Sequence, residues 1–218
     1  MKRNYIFDLD GTLIDSMSAW DNIGAKFLLS IGIDPPENID EIYRTMSFEE
    51  SAEYFRKNLG MKLTTKEMID KVVSMVAKKY EDEIPLKPHA YDFLEKSYKS
   101  GIKMTLLTAS EMVYVLPCVK RLKIDNFFED ILTCTQLGMS KSNEHIYEYA
   151  AEKMNYKKNA TIVFEDAPHA AESAKKAGFF TVGIYDKSAD KFKDEMGMIC
   201  DIYTDDFSKL TFSFLGLF

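Results

Sequence analysis

Residues 5–16 read YIFDLDGTLIDS: an apolar run, YIF, breaks off into two aspartates one residue apart, Asp8 and Asp10, and then Gly11. A continuous apolar run of this kind predicts a short strand buried on both faces. Carboxylates at its C-terminal end stand where open parallel sheets bind their ligands. Asp-Gly between apolar runs is also a β-hairpin signal. Here the first run does not alternate and the residues after Ser16 carry a helical pattern, which argues for a strand, a loop and then helices. A calcium loop counted from Asp8 needs glycine at its sixth position and glutamate at its twelfth, and those positions hold Leu13 and Ala19.

The rest of the chain supplies a context for that strand. From about Tyr91 onward, short runs rich in β-branched residues alternate with amphipathic stretches. These are IKMTLLT (102–108), EMVYVLPCVKRL (111–122), DILTCT (130–135), NEHIYEYAAEKM (143–154), ATIVFED (160–166), HAAESAKKAG (169–178) and FFTVGIY (179–185). Such alternation predicts βαβ units and a parallel sheet covered on both faces. Gly101 and Gly178, just before two of the runs, fit helix C-terminal caps. Between Ser16 and about Pro85 the pattern is helical throughout: SAWDNIGAKFLLSIG, FEESAEYFRKNLG and TKEMIDKVVSMVAKKYEDE, separated by DPPEN and KLTT. The expected organisation is therefore an α/β, Rossmann-like three-layer core made of residues 1–15 and 86–218, with an all-helical domain, residues 16–85, inserted after the first strand. Trp20, Phe27, Tyr54 and Phe55 are expected in the core of that insert.

Composition narrows the function. At 218 residues, 46% hydrophobic and 29% charged, the chain can bury one core and a smaller satellite. No apolar run reaches the roughly 20 residues of a membrane span, and Asp8 and Asp10 interrupt any signal-peptide core. A cytoplasmic monomer with no membrane partner is the expectation. The net charge of −7 offers no basic surface to a nucleic-acid backbone. Cys118, Cys134 and Cys200 form no CxxC pair, and His89, His145 and His169 have no metal-ligand spacing.

Three of the predicted strands end in oxygen-bearing side chains: Asp8 after YIF, Thr108 after KMTLL, and Glu165 with Asp166 after TIVF. Together with Asp10 this gathers four carboxylates at one sheet edge, where they repel one another unless a cation lies between them. Oxygen-only ligands favour Mg²⁺, which characteristically keeps some coordination for an oxygen of a phosphorylated substrate.

Four pieces, DLDGT (8–12), LLTAS (106–110), SKSNEHIYEYA (140–150) and VFEDAPHAAESAKKAG (163–178), resemble, in order, the four motifs of the haloacid dehalogenase superfamily. The helical insert resembles the C1 cap of subfamily I. The TAS and ED variants are similar to the branch holding phosphoglycolate phosphatases and β-phosphoglucomutase. The resemblance implies a Mg²⁺-dependent phosphatase acting on a small phosphorylated metabolite. Asp8 would attack phosphorus to give an aspartyl-phosphate, and Asp10 would serve as general acid and then base. Asp8, the Asp10 carbonyl, Glu165 and Asp166 would hold the metal. Gly11, Thr108, Ala109 and Lys141 would bind the phosphoryl oxygens. The family's KPxPxIY pattern is KSNEHIY here, without either proline, while Ile146 and Tyr147 keep the register.

Plainer readings stand beside these. Lys141 has a rival, less favoured reading as a solvated surface charge, and Glu165 and Asp166 one as an acidic helix start, with the ligand reading preferred for the two acids because they directly follow a buried strand. Thr108 and Ser110 fit helix N-caps, the reading favoured for Ser110. For the whole chain, a β-phosphoglucomutase-like phosphomutase and an inactive phosphometabolite-binding regulator remain alternatives. A dehalogenase is disfavoured because it would not need Asp10.

Overall fold

The run YIF is the first strand, β1 (Asn4–Phe7), every residue of it buried. Five more strands follow: β2 (Lys103–Thr108), β3 (Asp130–Thr133), β4 (Thr161–Glu165), β5 (Phe180–Ile184) and β6 (Ile202–Thr204). They form one sheet in the order β3-β2-β1-β4-β5-β6, and all five pairings are parallel. The computed structural model describes residues 4–39, 46 and 48–211. Residues 1–3, 40–45, 47 and 212–218, which the sequence distributes between core and insert, lie outside the described residues.

Two compact units result, Met1–Ser16 with Ile84–Phe218, and Met17–Glu83. Among its described residues the second unit is helical, with α1 (Ile23–Ser30), α2 (Phe48–Leu59) and α3 (Thr65–Asp82). A capping box starts α3: the Thr64 hydroxyl accepts from the Glu67 N–H at 3.2 Å, and the Thr64 N–H donates to Glu67 Oε2 at 2.8 Å. Met68, Val72, Val76 and Tyr80, four residues apart, form its buried stripe. Phe27 and Phe55 stack at 6.0 Å between centroids and are fully buried, as expected of the insert's core.

In the sheet unit, α4 (Ala90–Lys99), α5 (Met112–Arg121), α6 (Cys134–Leu137), α7 (His145–Lys153), α8 (Pro168–Lys176) and α9 (Lys193–Ile199) connect the strands. Gly101 and Gly178 follow the C-terminal caps of α4 and α8 with φ of +75° and +85°, the conformation that ends a helix at glycine. The sequence reading assigned no element to α4 or β6. The first nevertheless has a helical stripe, Ala90, Phe93, Leu94 and Ser97. The second is three residues long and carries too little pattern to read.

Strand alternation decides what each face holds. Tyr5 and Phe7 of β1 pack against Phe93 of α4 and Phe164 of β4, with the Phe7 and Phe164 rings 4.3 Å apart. Ile6, Leu107 and Val163 join Ile146, Tyr147, Ala150 and Ala151 of α7 in a second apolar cluster. The chain leaving and re-entering the sheet unit is stitched by Asp15 N–H to Pro85 O at 3.0 Å and Lys87 N–H to Leu13 O at 2.9 Å.

Candidate active site

The sheet order puts β1 between β2 and β4: the chain runs outward from β1 through β2 to β3 and then crosses back to β4 on the other side, so the direction of winding switches at β1 and a crevice opens outside the strands' C-terminal ends there. Asp8 and Glu165 lie two residues beyond Ile6 and Val163 and therefore share their face, the one that α7 covers. The turn before α7 carries Lys141, whose ammonium reaches Asp8 Oδ1 and, at 2.7 Å, Glu165 Oε1. Tyr147 of α7 donates its hydroxyl to the same Glu165 Oε1 at 2.8 Å. All four side chains are buried, Lys141 with only 6% of its surface exposed.

Gly11 sits at φ +81°, and a Cβ there would overlap the Asp166 carboxylate, 2.8 Å from its Cγ. Glycine is what allows the loop after β1 to approach Asp166 so closely. Thr12 Oγ1 lies 3.5 Å from Asp166 Oδ1. One oxygen from each of Asp8, Glu165 and Asp166 falls within 4.8 Å of the others.

Charge is not balanced here. Three buried carboxylates face one ammonium, and burial pushes the Asp8 carboxyl up to about 7, with Glu165 and Asp10 adding to the rise and Lys141 opposing it. Burial, Asp8 and Glu165 hold Asp166 well above the usual carboxylate range. Burial works against the Lys141 ammonium, and the Asp8 and Glu165 carboxylates overrule it and hold its pKa above the ordinary value. Among the described residues, Asp8 Oδ2 is buried without a hydrogen-bond partner. An orphaned carboxylate oxygen in a ring of hard oxygen donors fits a small divalent cation of the Mg²⁺ type.

Asp10 stands a step away among hydroxyls. Its Oδ1 accepts from Ser16 Oγ at 2.7 Å, and its Oδ2 accepts from Ser110 Oγ at 2.7 Å and Thr108 Oγ1 at 3.3 Å. Ala109 is exposed in the bend between Thr108 and Ser110. The favoured reading of Ser110 as a helix cap is therefore corrected: Glu111 is the N-cap of α5, while the Ser110 N–H turns back to Thr108 Oγ1 at 3.0 Å and its hydroxyl is committed to Asp10. The plain reading of Lys141 as a solvated charge also falls, since its ammonium is buried between two carboxylates. Sequence reasoning placed Ser16 in a candidate hinge with Met17 and gave no part in the site to its hydroxyl or to that of Tyr147. For Tyr147 a signal exists: a tyrosine on the buried face of a helix needs a partner for its hydroxyl.

A family model described as haloacid dehalogenase-like hydrolase matches residues 5–184. The chain belongs to that family. Two relatives of this haloacid dehalogenase-like hydrolase are phosphatases. The phosphorylated carbohydrates phosphatase of Thermotoga maritima is 23% identical over 79% of this chain and 80% of its own length. The glyceraldehyde 3-phosphate phosphatase of Methanocaldococcus jannaschii is 26% identical over 94% and 92%. Among solved structures, the β-phosphoglucomutase of Clostridium difficile superposes with a TM-score of 0.73 at 20% identity, covering 100% of this chain and 96% of that one, a likeness of fold. Among the described residues, no helix is long and apolar enough to cross a membrane.

Proposed function

We propose that the protein, a haloacid dehalogenase-like phosphatase, hydrolyses a small phosphorylated sugar or related metabolite in the cytoplasm, with Mg²⁺ and through an aspartyl-phosphate on Asp8. The observation that carries this reading is the unpartnered, buried oxygen of Asp8 at the end of β1, surrounded by Glu165, Asp166 and Lys141. The Asp8, Glu165 and Asp166 carboxylates and the Asp10 carbonyl would hold the ion. When bound, Mg²⁺ neutralises the carboxylate and phosphoryl charge that otherwise keeps an anionic substrate out.

In the first half-reaction an Asp8 oxygen bonds to phosphorus as the ester P–O bond breaks, and Asp10 gives its proton to the departing alkoxide. In the second, Asp10 takes a proton from the water that attacks the phosphorus, and the P–O bond to Asp8 breaks, releasing phosphate. The hydroxyls of Ser16, Thr108 and Ser110 converge on the two Asp10 oxygens and aim the side chain. The Lys141 ammonium, the Thr108 hydroxyl and the backbone around Gly11 and Ala109 receive the phosphoryl oxygens. We assign residues 1–15 and 86–218 the role of catalytic core and residues 16–85 that of a cap domain. The names of the two phosphatase relatives support a sugar phosphate or a comparably small phosphoester as substrate.

A screen of sugar phosphates, nucleotides and phosphoglycolate for phosphate release, with Mg²⁺ and with EDTA, tests this. Mg²⁺-dependent release that is greatest with a sugar phosphate is expected. No release from any substrate would refute it, and turnover only in the presence of a sugar bisphosphate would identify a phosphomutase instead.

A further inference from the structure

Tyr147 is fully buried in the apolar cluster under β1 and β4, its ring tilted against Phe179 at 6.5 Å between centroids. Phenylalanine would fill that space equally well, so packing does not explain the hydroxyl. The hydroxyl donates to Glu165 Oε1, the oxygen that also receives Lys141. Two donors converging on one oxygen set the rotation of the Glu165 carboxylate and leave its other oxygen engaged by neither. A phenol does this without charge. A second ammonium in the same place would cancel the negative potential that attracts a cation, whereas a phenol hydroxyl donates without adding positive charge.

We propose that the Tyr147 hydroxyl is a positioning group for the divalent-ion site, orienting Glu165 so that one carboxylate oxygen serves Lys141 and the other is presented to the ion. The inference rests on the function proposed above and adds a member to the site that touches neither substrate nor ion. Outer groups that orient metal ligands are typically worth about 10–100-fold in metal affinity.

Calorimetric titration of Mg²⁺ alone into the metal-free full-length protein tests it, using wild type, Tyr147→Phe, Glu165→Gln and the double variant. Tyr147→Phe removes one oxygen and preserves the ring's volume, and its melting temperature in EDTA checks that it is folded. The expected result is at least about tenfold weaker Mg²⁺ binding in Tyr147→Phe, and no further loss when the same substitution is made on Glu165→Gln. In turnover, the variant should need more Mg²⁺ to reach half-maximal rate, and its kcat should recover at saturating Mg²⁺. Unchanged Mg²⁺ affinity in Tyr147→Phe, or an equal loss with and without the Glu165 carboxylate, overturns the proposal while leaving the phosphatase reading intact. Failure of the wild type to bind Mg²⁺ overturns both.

Discussion

Two lysine–carboxylate clusters among the described residues of the sheet unit, one half-buried and one buried, are built on opposite rules. In the first, Lys87 pairs with Asp186 Oδ2 at 2.9 Å and donates to Tyr185 O at 2.6 Å, while Asp186 Oδ1 receives the Ser188 N–H at 2.8 Å and hydroxyl at 2.6 Å. One cation meets one carboxylate and both oxygens are satisfied. In the second, Lys141 is shared by Asp8 and Glu165, Asp166 lies beside them, and Asp8 Oδ2 has no partner among the described residues. The acid strengths record the difference. Burial would raise Asp186, but Ser188 and Lys87 prevail and hold it below the usual carboxylate range, whereas Asp8 is pushed up to about 7. A matched pair completes itself and fastens residues 85–88 to the loop after β5. An under-neutralised cluster keeps a proton or takes a further cation, and this imbalance marks it as a candidate ligand site rather than a structural clasp.

The largest expected effect strikes the second cluster alone. Asp8→Asn keeps the side chain's shape but removes the nucleophile, and phosphate release from p-nitrophenyl phosphate should fall by about 10⁴-fold or more. Turnover near wild type would mean that the unpartnered oxygen has no catalytic part. Next come the two lysines. Lys141→Met and Lys87→Met each leave buried carboxylate charge uncompensated, and each should cost about 3–5 kcal/mol in urea unfolding with EDTA present. Saturating Mg²⁺ should restore part of the stability of Lys141→Met and none of that of Lys87→Met. Equal responses to Mg²⁺ would erase the distinction between the clusters.

A smaller effect is expected from Gly11→Ala. The substitution places a Cβ against Asp166 at φ +81°, a strain of about 1–3 kcal/mol. Mg²⁺ titration should show weakened binding together with a lowered melting temperature. The smallest effects are in pH dependence. Asp186 is depressed in the folded state, so its contribution is complete above about pH 4 and is lost as pH falls through its lower folded value. Asp186→Asn should flatten the acid limb of the stability curve. Asp8 runs the other way: in metal-free protein its contribution is fullest below about pH 4 and declines as pH rises toward about 7, because the unfolded chain gives up a proton that the folded one retains. Added Mg²⁺ should abolish that decline, and a persistent decline in Asp8→Asn would assign it to another group.

Much of this contrast could be read in the chain beforehand, on one side only. The second cluster announces itself because its acids stand at strand ends, where an apolar run stops at Asp8 and another at Glu165 and Asp166. The first gives no such signal: Lys87 and Asp186 are ordinary charged residues in loops, 99 positions apart by subtraction of their numbers. Ser110 misled for a related reason. A serine ahead of a helix has the local signature of a cap, and only the position of Asp10 reveals that its hydroxyl is better satisfied elsewhere.

The sequence alone determined β1 to β5, the helical pattern of the insert and the placement of acids beyond β1 and β4, because periodicity and strand termination are properties of neighbouring residues. The tertiary structure decided the partners. Lys141 meets Asp8 across 133 residues, Tyr147 and Lys141 choose the same oxygen of Glu165, and one oxygen of Asp8 is left over. Those outcomes follow from β1 lying between β2 and β4 with α7 laid over it, and a strand order is a balance of long-range burial that no local pattern encodes.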